Sequence, residues 1–170
     1  IAAYPQASLY LHDSVFIDEQ GKPLGLWSCP LASRRRIIPA DDMIEKLLVQ
    51  NFVAIPAPVF KRTAAIEIGG LNDQLWYTAD WDFWLKLAAL GDTCYIPKPL
   101  AAFRVHGDSQ TIRRSSSVAE FRQQMRSVVD KHLSLKSSRE VSKVAFFSTE
   151  VNTTLAAMGH GESTNLLKLA

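Results

Sequence analysis

Residues 78–108 read TADWDFWLKLAALGDTCYIPKPLAAFRVHGD, and the pattern changes once along the way. Asp80 sits where a helix N-cap belongs, and Gly91 where the glycine just past a helix belongs. Between them lie Trp81, Phe83, Trp84, Leu85, Leu87, Ala88 and Leu90, with Asp82 and Lys86 the only charges in the helix interior. A helix that is apolar on nearly every face is expected to be buried. Beyond it, residues 94–97 and 100–105 read as two short strands separated by Lys98-Pro99. A buried helix feeding strands points to an α/β class.

The upstream chain keeps mixing the two element types. Residues 8–13 (SLYLHD) form a short apolar run rich in strand formers, and Asp18-Glu19-Gln20-Gly21 is a turn signal. Asp42-Met43-Ile44-Glu45 has capping-box spacing and predicts a helix from there to about Gln50. Residues 52–60 (FVAIPAPVF) read as a strand that Pro56 and Pro58 push toward an edge or an irregular path. Gly69-Gly70 forces a turn. Downstream the chain becomes helical. Ser117 to Glu120 and Ser137 to Glu140 are capping boxes, each followed by an apolar stripe. Gly159-His160-Gly161 breaks the second helix, and a final short helix is expected from Ser163.

The 170 residues are 47% apolar and 21% charged, which suits a folded domain with a real core and argues against disorder. The net charge of +2 is too small to announce a nucleic-acid partner. It conceals a division: residues 1–112 carry 10 basic and 12 acidic groups, residues 113–143 carry 8 and 3, and the remainder carries 1 and 2. Cys29 and Cys94 build no disulfide framework and no CxxC site, and fit a reducing compartment. No apolar run is long enough to cross a bilayer. G-x-S-x-G, P-loop and G-x-G-x-x-G patterns are all missing.

Three places could carry chemistry. Asp80 and Asp82 could chelate a divalent cation or supply a general base kept ionised by the helix dipole; equally, Asp80 is simply an N-cap. Arg104 and His106 share one face of a strand and suit an anion, or form a plain surface pair. The basic stretch 113–143 suits acidic lipid headgroups, or is the solvated face of amphipathic helices. His12-Asp13 reads as a satisfied polar pair, and His132 as a core or boundary residue on an apolar stripe.

The ordered series is more specific than its parts. Asn51, Lys61-Arg62, Gly69-Gly70, Asp80, Asp82, Trp84, Leu87, Gly91, Phe103-Arg104, His106, Ser109 and Thr111 follow the order of motifs in the second half of a family-2 inverting glycosyltransferase, which residues 8–111 resemble. The resemblance implies a partial GT-A fold, a Rossmann-like mixed sheet, over residues 1–112. An α-helical C-terminal extension follows over 113–170, and the nucleotide-binding half lies upstream of Ile1. It implies that Asp80 is the catalytic general base. Gly69, Gly70, Trp81 and Asp82 fall in the sugar and acceptor pocket, and Arg104 and His106 lie near the donor diphosphate. Ala79 stands where many members carry Glu.

The implied cofactor is Mg or Mn, held by an upstream D-x-D motif with His106 as a further candidate ligand; Asp80-Trp81-Asp82 opens a helix and is not assigned the metal. The implied partners are a nucleotide-sugar donor and a glycan or lipid-linked acceptor, in the cytoplasm or at the inner membrane face, with no nucleic acid. A half-sheet without its upstream strands would expose an edge and favour self-association. The alternative is a non-catalytic scaffold domain that docks a partner or an acidic membrane through its basic helices.

Overall fold

The structure, a computed structural model, describes residues 3–31, 36–106, 117–135 and 138–159. Its spine is a parallel pair, β1 (Leu9–Ile17) and β5 (Thr93–Arg104), aligned from Leu9 opposite Thr93 to Ile17 opposite Arg104. Three short strands join them antiparallel. β2 (Pro23–Trp27) and β4 (Val59–Phe60) share the free side of β1, and β3 (Ile37–Ile38) meets the start of β5. The result is a mixed α/β fold with an open sheet. Alternation along the strands divides the core: Leu9, Leu11 and Tyr95 enter the main cluster, while Tyr10 and Cys94 join a small cluster with Ala7.

β5 is one strand of 12 residues, not the two short strands expected. The prolines interrupt the register rather than the strand. His12 pairs with Ile96, but Asp13 pairs with Pro99 and Ser14 with Ala101. The extra residues bulge where Pro97 and Pro99 can donate nothing to the ladder. Among the described residues, 96–104 pair only with β1, and Leu100 is exposed beside them.

The first helix, α1 (Ala40–Val49), starts two residues before the expected Asp42. Its N-cap position is Pro39, which supplies no side-chain cap; Asp92, fifty-two residues away, instead accepts from the Ala40 N–H at 3.1 Å. A tertiary cap of this kind leaves no local signature. Residues 52–60 form a strand only at Val59–Phe60, because Pro56 and Pro58 break the ladder. α2 (Arg62–Glu67) ends on Gly69 and Gly70, both in the left-handed region (φ 77° and 69°).

α3 (Ala79–Ala89) is buried along most of its length, as its composition requires. α4 (Val118–His132) is capped by Ser117, whose Oγ accepts from the Glu120 N–H at 3.2 Å. α5 (Arg139–Gly159) is capped by Ser138, whose Oγ accepts from the Val141 N–H at 3.2 Å. The expected cap Ser137, the boundary at 112, and the expected helix from Ser163 lie outside the described residues. The two sides of that boundary share one core: Met125, Val128, Val129 and Ala145 pack in the same cluster as Leu9, Leu47 and Trp84.

One buried ionic centre fastens the helices. Asp82 on α3 is 0% exposed. Its Oδ1 accepts from Lys131 Nζ and His132 Nε2 on α4, each at 2.7 Å, and Lys86 Nζ lies 3.2 Å from Oδ2. Burial alone would raise its pKa, but the hydrogen bonds from Lys131, His132 and Lys86 prevail and hold it below the usual carboxylate value. Burial pushes the His132 pKa down despite Asp82, so the ring is neutral and donates through Nε2–H.

Removing this carboxylate strands the buried His132 N–H and takes an ion-pair partner from Lys131 and Lys86. Asp82→Ala is expected to cost about 3–5 kcal/mol in urea unfolding, a large share of a domain's stability. The pH dependence follows from both directions. His132 is protonated more readily unfolded than folded, so its contribution is present above the ordinary value of 6.5 and declines as pH falls below it. Asp82 adds a second loss as pH falls below its ordinary value of 3.8. Urea midpoints should therefore drop from about pH 6.5 downward, and His132→Gln should flatten the upper part of that decline.

Candidate functional site

Asp80 lies in the first turn of α3. The N-cap position belongs to Thr78, so the expectation that Asp80 caps the helix is corrected. The carboxylate is half-buried and held on both oxygens. Oδ1 accepts from the Trp81 N–H at 2.8 Å, and Oδ2 from Asn51 Nδ2 at 3.2 Å. Burial raises its pKa, and the bonds from Trp81 and Asn51 offset this only in part. The outcome is a carboxylate more basic than a free aspartate and fixed in direction.

Asn51 connects this group to the sheet. The next residue, Phe52, accepts at its carbonyl from Trp27 Nε1 at 2.9 Å. The Trp27 ring stacks on Phe16 at 4.9 Å and leans on Phe103 at 5.8 Å. Phe16 and Phe103 are register partners near the carboxyl ends of the parallel strands. Asp80 is thus tied to the end of the sheet where open α/β folds place ligands.

A cleft of about 160 Å³ is lined in part by Asn51 and Trp81, the two residues that bond Asp80, while Asp80 itself is not among its lining residues. Asn51, Thr78 and Trp81 line it from one side, and Phe121, Met125 and Asn152 of the C-terminal helices close it from the other. Trp81 donates its indole N–H to the Leu47 carbonyl at 2.7 Å, which fixes α3 against α1. Tyr77 also lines the cleft; its backbone N–H is held by Gln124 Oε1 at 2.9 Å, and its ring stands 4.4 Å from that of Phe121. Trp76 donates to Glu120 nearby.

The other candidate residues fall elsewhere. Trp81 lines the cleft, whereas Asp82 is bound by Lys131 and His132 of α4 and is not among the lining residues. Gly69 and Gly70 end α2 and are not in the cleft lining; the Gly70 carbonyl accepts from Lys86 Nζ at 2.6 Å. Arg104 is exposed and spends one guanidinium nitrogen on the carbonyls of Asp18 and Glu19, at 2.8 and 2.7 Å, bracing the turn between β1 and β2. His106 follows β5, while Ser109 and Thr111 lie outside the described residues. Among the described residues, no group of three or more His, Cys, Asp and Glu could hold a metal ion. Asp80 and Asp82 turn to different partners, so they do not form a chelating pair.

Asp13 is buried and accepts from Tyr95 Oη at 2.7 Å and the Cys29 N–H at 3.0 Å. Burial, and then Asp13, push the Cys29 thiol up to about 12, so it stays protonated and unreactive. In the basic stretch, Arg122 and Arg126 both pair with Glu150, and Lys131 with Asp82.

No family model matches the chain. Over 65 residues it is 31% identical to an uncharacterized protein of Mycobacterium tuberculosis; the match covers 38% of this chain and 20% of that protein. The chain therefore spans about a fifth of that relative's length.

Side-chain carboxyl ¹³C NMR is expected to show Asp80 titrating above the usual aspartate value. Asn51→Ala removes a donor to the ionised form and should move that titration further upward.

Proposed function

We propose that the chain forms the acceptor side of an inverting glycosyltransferase in which Asp80 is the general base. The observation that carries this reading is the setting of Asp80. It is half-buried, raised in basicity by burial, and oriented by Asn51 and the Trp81 N–H, two residues that themselves line a cleft. In the proposed reaction an acceptor hydroxyl oxygen attacks the anomeric carbon of a nucleotide sugar. Asp80 takes the hydroxyl proton as the new C–O bond forms. The bond from the anomeric carbon to the diphosphate oxygen breaks on the opposite face, so configuration inverts.

The raised pKa suits this role. A base works best when its conjugate acid is not far below the working pH, yet it must be ionised there. Asn51 helps on both counts, since it aims the carboxylate and limits the rise. Donor binding is assigned to an upstream segment by the motif order alone, and His106 is its nearest candidate within this chain. Arg104 is left out, because its guanidinium braces the β1–β2 turn. The scaffold alternative draws less support: Arg122, Arg126 and Lys131 are spent on carboxylates of the same chain.

The deciding experiment uses the protein that carries this chain together with a donor-binding segment. Asp80→Asn keeps the shape and the Trp81 contact but cannot accept the proton. Transfer from a labelled nucleotide sugar should fall by about 10²–10⁴, the usual value of a positioned base, while nucleotide binding is unchanged. Turnover at the wild-type rate would remove Asp80 from the role.

A further inference from the structure

We infer that the outward face of α5 binds a second copy of this chain, with the two α5 helices packed antiparallel across a two-fold axis. Nothing in this depends on Asp80.

The helix is built inside out. Ala145, Thr149, Thr153 and Ala157 recur at every fourth position and are buried, so the face turned to the core is made of small residues. That face packs on α1 and α4. The large side chains point the other way. At 3.6 residues per turn, Val144, Phe147, Val151, Leu155 and Met158 fall within about 80° of one another, roughly opposite the buried row. Val151 is half-buried, and the other four are 47% to 60% exposed. Single apolar residues on a surface need no explanation, but a contiguous stripe along one helix marks an interaction face.

Two features select a second copy as the occupant. The stripe is self-complementary. In an antiparallel pair centred on Val151, Phe147 lies level with Leu155 of the second copy, and Val144 with Met158. The charges agree. Lys143 is exposed on the flank of the stripe, and antiparallel packing sets it beside the last turn of the second helix, where the free carbonyls carry the negative pole. Glu150, on the same flank, is neutralised within its own chain by Arg122 and Arg126, so it brings no net repulsion. A parallel pair would align the two dipoles and set Lys143 at the positive pole instead. A lipid surface fits less well. The cations of α5 are Arg139 and Lys143, both near its start, and no basic residue of the helix flanks the rest of the stripe.

The test follows the full chain by sedimentation velocity. Five side chains a copy is a small contact beside the roughly 20–30 residues of a standard interface, so the series runs to about 100 μM, and the dimer fraction should rise through it. Leu155→Glu changes an exposed residue. It should leave the urea midpoint of the dilute chain unmoved, yet weaken the pair about 10- to 100-fold. Under oxidised glutathione, Val151→Cys should give a disulfide-linked dimer, because it faces its own counterpart, and Val144→Cys should not. Cys29 and Cys94 are buried and do not compete. A chain that stays monomeric throughout overturns the inference, whether or not it binds anionic vesicles through Leu155. So does a Leu155→Glu variant that associates like the wild type, as pairing through the open edge of β5 would. So does any cross-linking pattern other than Val151→Cys alone: both variants linked means a parallel pair, and neither means another surface.

Discussion

Asp82 is the constraint on which the rest of the arrangement depends. A carboxylate with no exposure survives only if its charge is answered locally, and here Lys131, His132 and Lys86 answer it. Lys131 and His132 both belong to the last turn of α4, so satisfying the charge fixes where that helix lies along α3. Once α4 is placed, Phe121 and Met125 reach the cleft, and Gln124 meets the Tyr77 backbone. An apolar residue at position 82 could pack as tightly, but it would not specify one register of α4 against α3. A directional ionic centre does so.

The sheet supplies the other fixed frame. β1 and β5 pair along their whole length, and the Asp13 carboxylate crosses between them to Tyr95 and to the Cys29 backbone. The loop after β2 is thereby held down, and Trp27 stays in its aromatic group with Phe16 and Phe103. Through the Phe52 carbonyl that group positions Asn51, and through Asn51 it positions Asp80. The site's geometry is set from both sides: by the sheet through Asn51, and by the ionic centre through α4.

How much of this was legible depended on whether the signal was local. The burial of α3 could be read from its composition, and the turn at Gly69-Gly70 from its glycines, because both are decided within a few residues. The start of α1 could not, since its first N–H is satisfied by Asp92 across the fold. The continuity of β5 was hidden because proline forbids a hydrogen bond, not a strand, and the partner β1 tolerates a bulge there. Asp80 could be singled out from its place in the motif order. Asn51 stood in the same series with no role attached, and its spacing from Asp80 carries no hint of contact. Thr78 and Asn152 gave no signal at all: each is an ordinary helix-end or helix residue until tertiary packing brings both to one cleft.

The pair Asp80 and Asp82 shows how spacing misleads when its periodicity is ignored. In a strand, residues two apart share a face and could grip one ion. In a helix they are separated by about 200° and do not face each other. Because α3 is helical from Ala79, the two carboxylates must part company. One turns toward Asn51 at the open end of the sheet, where partial burial raises its basicity without sealing it off. The other turns into α4, where its cations hold its pKa down and keep it charged. The same letters thus yield a carboxylate free to take a proton and one that must never do so. Helical geometry separates the two carboxylates, and their different neighbours then set the opposite shifts.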